Sequence, residues 1–247
     1  MTPVIEVRDL RFRYEDGTQA LNGVNFTLCP GESVALFGAN GSGKTTFVLH
    51  LNGILEGEGS VTVCGMPVTK DNLKAVRSKI GMVFQDSEEQ LFMPTVLEDV
   101  AFGPQNMGLT AEEAVAKAKA ALEQVGMAHT LEKAPYHLSA GEKRRVALAG
   151  VLAMDPEILV LDEPTTFLDP PAQRNLIHLL EKLPQAKLII THHTRFAAMV
   201  ANRAVFFEKG ELVADGPVAE IVQRYDWNYS PLADPAADLR YSAQRRL

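Results

Sequence analysis

The stretch Gly38-Ala39-Asn40-Gly41-Ser42-Gly43-Lys44-Thr45 restricts this chain more than any other. Gly, four residues, then Gly-Lys-Thr is the pattern of a loop between a strand and a helix whose backbone N–H groups wrap around phosphates. The apolar run Ser33 to Phe37 ahead of it reads as a buried strand, and Thr45 to Leu51 behind it reads as a helix. Glycines let the loop turn in on itself, and the helix starting near Gly43 brings the positive end of its dipole to the anion. Asn40, Gly41, Ser42, Gly43, Lys44, Thr45 and Thr46 are therefore the expected phosphate contacts. Lys44 is expected to reach the outer phosphates and Thr45 to ligate Mg²⁺.

The rest of the composition permits this reading. With 247 residues, 46% hydrophobic and 22% charged, the chain can bury a sizeable core. A net charge of −7 argues against a nucleic-acid partner held by phosphate neutralisation. Cys29 and Cys64 sit in strand-like runs without zinc-site spacing and are expected to be buried thiols. The N-terminus lacks the charge and apolar pattern of a signal peptide, and no stretch approaches the roughly 20 apolar residues that cross a bilayer. A cytoplasmic location is expected, with any membrane role carried through partners.

Strand pieces are expected at Val4–Val7 and Arg11–Tyr14, broken at Asp9-Leu10, then at Val24–Leu28, forming an antiparallel opening. Tyr14 reads as a half-buried strand aromatic. Ser60–Val63 is a short strand, and Lys79–Phe84 is another that delivers Gln85 to its carboxyl end, where open parallel sheets hold ligands. Gln85 can offer an oxygen to a metal or to water. Pro94 and Gly103-Pro104 bracket Thr95–Phe102, and a helix is expected from Thr110 to Val125. Residues from about 86 to 136 form a mostly helical insert.

Ser139 with Glu142 three residues on makes a capping box before the helical run 143–154, and a well-made helix N-terminus is a second place to hold a phosphate. Ile158–Leu161 is a buried strand running into Asp162-Glu163. Two carboxylates there are costly unless they work, and strand neighbours point to opposite sides. The division that fits has Asp162 holding Mg²⁺ and Glu163 acting as general base on the attacking water. A helix over 171–183 and a strand over 187–190 follow, ending at His192, which is placed to contact a terminal phosphate. Strands at 203–207 and 211–214 close as a hairpin, 217–225 is a last helix, and a loosely held tail is expected over 226–247.

In this order the phosphate loop, Gln85, Leu138-Ser139-Ala140-Gly141-Glu142, Asp162-Glu163, Leu168-Asp169 and His192 resemble the ATPase subunits of ABC transporters, over about residues 4–225. The resemblance implies an α/β fold: a P-loop NTPase parallel-sheet core with an N-terminal antiparallel β-subdomain and a helical subdomain insert. It implies ATP and Mg²⁺, with Tyr14 stacking on adenine and Gln85 opening the loop that couples to membrane subunits. Ser139, Ala140, Gly141 and Glu142 match the signature motif, which closes over ATP held by a second copy in a head-to-tail dimer. Asp169 matches the loop crossing that interface, and His192 the switch histidine. Ala140 and Glu142 depart from the usual Leu-Ser-Gly-Gly-Gln; the Glu142 change is tolerable, while the added methyl of Ala140 bears on the efficiency of hydrolysis.

A finer likeness lies in Val83-Phe84-Gln85-Asp86, Glu89-Gln90-Leu91-Phe92, Pro94-Thr95-Val96 and Glu98-Asp99-Val100-Ala101-Phe102-Gly103-Pro104. These resemble the ATPase components of energy-coupling-factor importers, with cobalt importers nearest and nickel and biotin importers beside them. A homodimer on the cytoplasmic face of the cell membrane, docked on coupling and substrate-binding subunits, is implied. The alternative from another class is a soluble ABC ATPase, which would call for a coiled-coil insert, a zinc module or tandem halves.

Overall fold

The computed structural model describes residues 2–85 and 90–227. Two sheets share one molecule. The first is antiparallel, ordered β2 (Gln19–Leu28), β1 (Ile5–Arg13), β4 (Glu58–Val63) and β5 (Met66–Pro67). The second runs β10 (Glu211–Pro217), β9 (Arg203–Glu208), β3 (Ser33–Gly38), β8 (Ala186–Ile190), β7 (Ile158–Asp162) and β6 (Ile80–Val83), parallel throughout except where β10 pairs with β9. Parallel strands covered on both faces need no polar alternation, and β3, β6, β7 and β8 are apolar almost end to end. This is the α/β fold with antiparallel subdomain that the sequence implied.

Strand β1 is continuous rather than broken. Asp9 takes a left-handed φ of 46°, and the register shifts between Val7 and Leu10, so the bend is a bulge inside one strand. The cysteines differ from expectation too: Cys29 follows β2, Cys64 sits in a turn with φ 48°, and both are only half-buried.

Helix α1 (Lys44–Leu51) follows β3, and α2 (Leu73–Lys79) leads into β6. Helices α3 (Val96–Asn106), α4 (Ala111–Gln124) and α5 (Ala140–Leu152) pack on one another, and α6 (Pro170–Lys182) joins their apolar cluster. Each of α3, α4 and α5 begins with a complete capping box, at Thr95/Glu98, Thr110/Glu113 and Ser139/Glu142. Gly103-Pro104 does not stop α3. A Cβ at Gly103 would lie 2.7 Å from Met154 Sδ, so this glycine serves helix–helix approach rather than a turn. Helices α7 (Thr194–Val200) and α8 (Val218–Arg224) flank the closing hairpin. Trp227 is half-buried and packs on Phe206, against the expectation of a loose tail from 226; Asp226 is exposed, and the remainder of that tail lies outside the described residues.

One side chain ties the two sheets together. Arg203 in β9 pairs bidentately with Asp215 at 2.7 Å for both contacts, donates to the Thr27 carbonyl and to Glu32 at 3.0 Å, and lies over the Phe26 ring. A planar fork satisfies all of these acceptors at once. Arg203→Met is expected to lower the unfolding free energy by about 2–3 kcal/mol, because two carboxylates and a carbonyl lose their donor. Urea titration checks this; a loss below about 0.5 kcal/mol would class the cluster with ordinary surface pairs.

Candidate active site

Four contiguous strands, β3, β8, β7 and β6, end at one edge of the second sheet. They deliver the loop after Gly38, His192, the Asp162-Glu163 pair and Gln85. A cavity of about 300 Å³ opens there, lined by Asn40, Gly41, Gly43, Lys44, Thr45 and Thr46 from the loop. Gln85, Asp162, Glu163 and His192 line its other side, and Tyr14 its rim.

The loop geometry explains its glycines. Gly38 has φ 142°, and a Cβ there would stand 2.4 Å from the Phe207 carbonyl oxygen. Gly43 has φ 108°, and its Cβ would meet the Ala20 carbonyl at 2.6 Å. Gly41 at φ 75° faces open space. Lys44 is buried and donates to the Gly38 and Ala39 carbonyls at 2.7 and 2.9 Å, closing the loop on itself. Burial draws its pKa down, while Glu163 and Asp162 hold it up. Ser42 lies beneath the loop, its Oγ buried without a partner among the described residues.

Glu163 lies just past β7 in a left-handed turn at φ 44°, so the pair does not follow the strand alternation expected from the sequence, and both carboxylates line the cavity. Its backbone N–H donates to the Ile190 carbonyl at 2.9 Å, fixing it against the end of β8. Burial, then repulsion from Asp162, pushes its carboxyl up to about 7, against the Thr191 hydroxyl, the His192 N–H and Lys44. Oε2 accepts from Thr191 Oγ1 at 3.4 Å. Oε1 is buried with no hydrogen-bond partner among the described residues, and His192 Nε2 stands 3.5 Å from it. Asp162 is likewise raised by burial, opposed by Lys44 and Arg144. His192 is lowered by burial, then by Lys44 and His193.

Tyr14 is packed on one side and open on the other. Its ring packs edge-on against Phe12, its hydroxyl shares a 3.0 Å hydrogen bond with Thr46 Oγ1, and it remains 39% exposed at the cavity rim. The exposed Thr45 hydroxyl, the Asp162 carboxylate and the Gln85 amide line one cavity. Such hard oxygen donors suit Mg²⁺, which binds through one or two carboxylates together with substrate phosphates. No group of three His, Cys, Asp or Glu that could hold a metal ion exists among the described residues.

Ser139, Ala140, Gly141, Glu142 and Asp169 do not line this cavity. They adjoin one another instead: a Cβ at Gly141 would come 3.3 Å from Leu168 Cδ2, next to Asp169. Glu142 Oε2 accepts from the Ser139 N–H at 2.9 Å and from its hydroxyl at 2.8 Å, which holds the Glu142 carboxyl below its usual range. Asp169 caps α6, accepting from the Ala172 N–H at 2.8 Å.

Sequence reasoning missed Arg144. Buried in α5, it donates to the backbone carbonyls of both Gln85 and Glu163, joining the helical layer to two strand ends of the site. A signal was present, since Arg144 shares the inward stripe of Ala147, Leu148 and Val151 at helical spacing.

A nucleotide-sized cavity at the carboxyl edge of a parallel sheet, with a glycine loop, a lysine and paired carboxylates, defines a P-loop nucleoside triphosphate hydrolase. Residues 21–166 match the ABC transporter family model. The energy-coupling factor transporter ATP-binding protein EcfA of Methanothermobacter thermautotrophicus is 48% identical over 224 residues, 88% of this chain and 72% of that protein. EcfA of Methanosphaera stadtmanae is 45% identical over 227 residues, 90% of this chain and 82% of that protein. Among solved structures, cbiO1 of Clostridium perfringens, described as part of the ABC transporter complex cbiONQ, superposes with TM-score 0.82 at 33% identity, over 98% of this chain and 100% of that one. A dimeric post-hydrolysis state of the cassette MJ0796 bound to ADP and Pi gives TM-score 0.78 at 27% identity, over 87% and 98%. The chain belongs to the ABC transporter ATPase family and is an ATP-hydrolysing transporter subunit.

Gly43→Ala is expected to destabilise the fold by about 2 kcal/mol or more and to abolish nucleotide binding, because neither φ nor space admits a methyl. Gly41→Ala carries only the left-handed strain of about 1–2 kcal/mol. Thermal unfolding with a fluorescent nucleotide titration separates them; equal effects would refute the packing argument.

Proposed function

We propose that this protein is the ATP-binding and hydrolysing subunit of an energy-coupling-factor importer and powers uptake of a transition metal ion, cobalt foremost. The observation that carries the hydrolytic part is the Glu163 carboxylate, buried at the strand end, one oxygen unpartnered and 3.5 Å from His192. In this reading Glu163 takes the proton of the attacking water, and His192 contacts the terminal phosphate and keeps that water in line. Asn40 to Thr46 cradle the phosphates, Lys44 swings from its loop carbonyls to the outer ones, and Tyr14 stacks on the adenine. Thr45, Asp162 and Gln85 would hold Mg²⁺, which when bound spreads the charge of the transferred group.

Residues 1–225 then form one ABC ATPase domain, with about 86–136 as its helical subdomain. Ser139 to Glu142 and Asp169 complete the site of a second copy, head to tail. Their absence from the cavity and their mutual contact support this, as do the exposed Phe167 and Tyr136 nearby, 78% and 76% accessible.

The membrane partners are assigned to a groove of about 1060 Å³ beside Gln90, Leu91 and Phe92, where Phe92 and Phe102 meet edge to face at 5.1 Å and stay exposed. No helix among the described residues is long and apolar enough to cross a membrane, so docking on membrane subunits at the cytoplasmic face suits the chain. The cobalt assignment rests on the resemblance of the segments within 83–104 to cobalt-importer ATPases, with nickel and biotin as the other cargoes.

Glu163→Gln should leave ATP binding intact and cut hydrolysis by about 10²–10⁴ fold, the usual worth of a general base. ATP should then trap the variant as a dimer in sizing experiments; undiminished turnover would remove the assignment. Reconstitution with the membrane subunits and measurement of ATP-dependent uptake of Co²⁺, Ni²⁺ and biotin decides the cargo. Failure to associate with any membrane subunit would favour the soluble ATPase reading.

A further inference from the structure

The chain holds a single tryptophan, Trp227, and the fold aims it at the site. Helix α8 ends in two backbone bonds, Asp226 N–H to the Gln223 carbonyl at 3.3 Å and Trp227 N–H to the Val222 carbonyl at 3.0 Å. That is a Schellman closure, in which the reversing residue is left-handed and usually glycine. Here Asp226 fills it at φ 47°, so a defined strained turn, not a free end, sends Trp227 back over the sheet. The indole lies edge-on against Phe206 at 5.0 Å and reaches Phe37, the residue before the phosphate loop's first glycine, at 6.4 Å. Tyr225 stacks on the Phe206 ring at 3.9 Å and 7°, holding the platform in place.

The outer face of the indole lies along His192: ring centroids are 5.7 Å apart and the planes differ by 28°. His192 otherwise stands in the turn after β8 with 42% of its side chain exposed, and the only group within ion-pair distance of its ring among the described residues is Glu163. An imidazole so exposed has several rotamers open to it. One wall selects among them.

We infer that Trp227 is a positioning residue: by stacking on His192 it fixes the plane of that ring and so directs Nε2 toward Glu163 and the reacting phosphate. The inference rests on the reading of His192 given above. It makes the end of α8 part of the hydrolytic apparatus, although Trp227 touches no reacting atom. Because the stack acts on ring orientation rather than on nucleotide affinity, its loss should appear in kcat and leave KM for ATP nearly unchanged.

The test uses the full chain. Trp227→Ala is expected to lower kcat for ATP hydrolysis about two- to tenfold, the range of an aromatic pair expressed as a rate. Trp227→Phe, which keeps a flat ring, should recover most of it. Trp227→Leu, which fills the space without one, should not, and guards against a fold too loosened in the alanine variant. In a His192→Ala background Trp227→Ala should add nothing, since the cycle isolates the pair. With one tryptophan in the chain, His192→Ala should also shift the indole emission. Full recovery by Leu, an undiminished effect of Trp227→Ala in the His192→Ala background, or unshifted emission would each overturn the inference while leaving His192 in its role. Unchanged turnover in His192→Ala alone would overturn the reading of the histidine and the inference with it.

Discussion

Lys44, Asp162 and Glu163 put one ammonium and two carboxylates at the buried end of a parallel sheet, and the structure is arranged around keeping them there. None would stay charged in an apolar interior without partners. Lys44 stands on the loop's own carbonyls and in the field of both acids. Glu163 is held by Thr191, by the His192 N–H and by its backbone bond to β8, yet burial and Asp162 still raise it to about 7. A carboxyl pushed upward while one oxygen is left without a partner is the environment that makes an acid a base near neutrality.

That arrangement depends on close backbone approaches. Gly38 lies against the Phe207 carbonyl and Gly43 against Ala20, while the Gly210 N–H donates to the Ser42 carbonyl at 3.0 Å. The loop therefore packs on the turn between β9 and β10 and on the antiparallel sheet. Arg203 fastens that hairpin to β2 and to the turn before β3, and Arg144 ties α5 to the carbonyls of Gln85 and Glu163. Loop, hairpin, first sheet and helical layer are mechanically one support for three charges.

What the sequence made legible was local. Left-handed glycines, apolar runs ended by polar residues and a hydroxyl–acid pair three apart each fix a geometry within a few residues, so the phosphate loop, β3, β7 and the cap of α5 could be read directly. The remainder depended on distant partners. Gly103-Pro104 resembles a helix stop until Met154 is seen to need the missing Cβ. Asp9 looks like a chain break until β2 and β4 pair on either side of its bulge. The helical stripe of Ala147, Leu148 and Val151 could place Arg144 inward, but not name its acceptors, which are backbone carbonyls of distant strand ends. Trp227 fell in a stretch of tail-like composition, and its place comes from distant rings, those of Phe206, Phe37 and His192.

The Ser139 turn shows where identical local chemistry can carry a different consequence. Glu142 closes a capping box by accepting from both the N–H and the hydroxyl of Ser139. In the head-to-tail dimer proposed above, these are the donors that would meet the partner's terminal phosphate. An anionic Glu142 and a phosphate cannot share them without repulsion, so closure of that proposed dimer would require the Glu142 side chain to turn aside and give up bonds that now hold its carboxyl below the usual range. A neutral glutamine at that position could accept the same bonds and release them with less electrostatic opposition. In that proposed dimer the free energy of releasing Glu142 would fall on the closing step rather than on the chemical step, which would lie in the opposite half of the site.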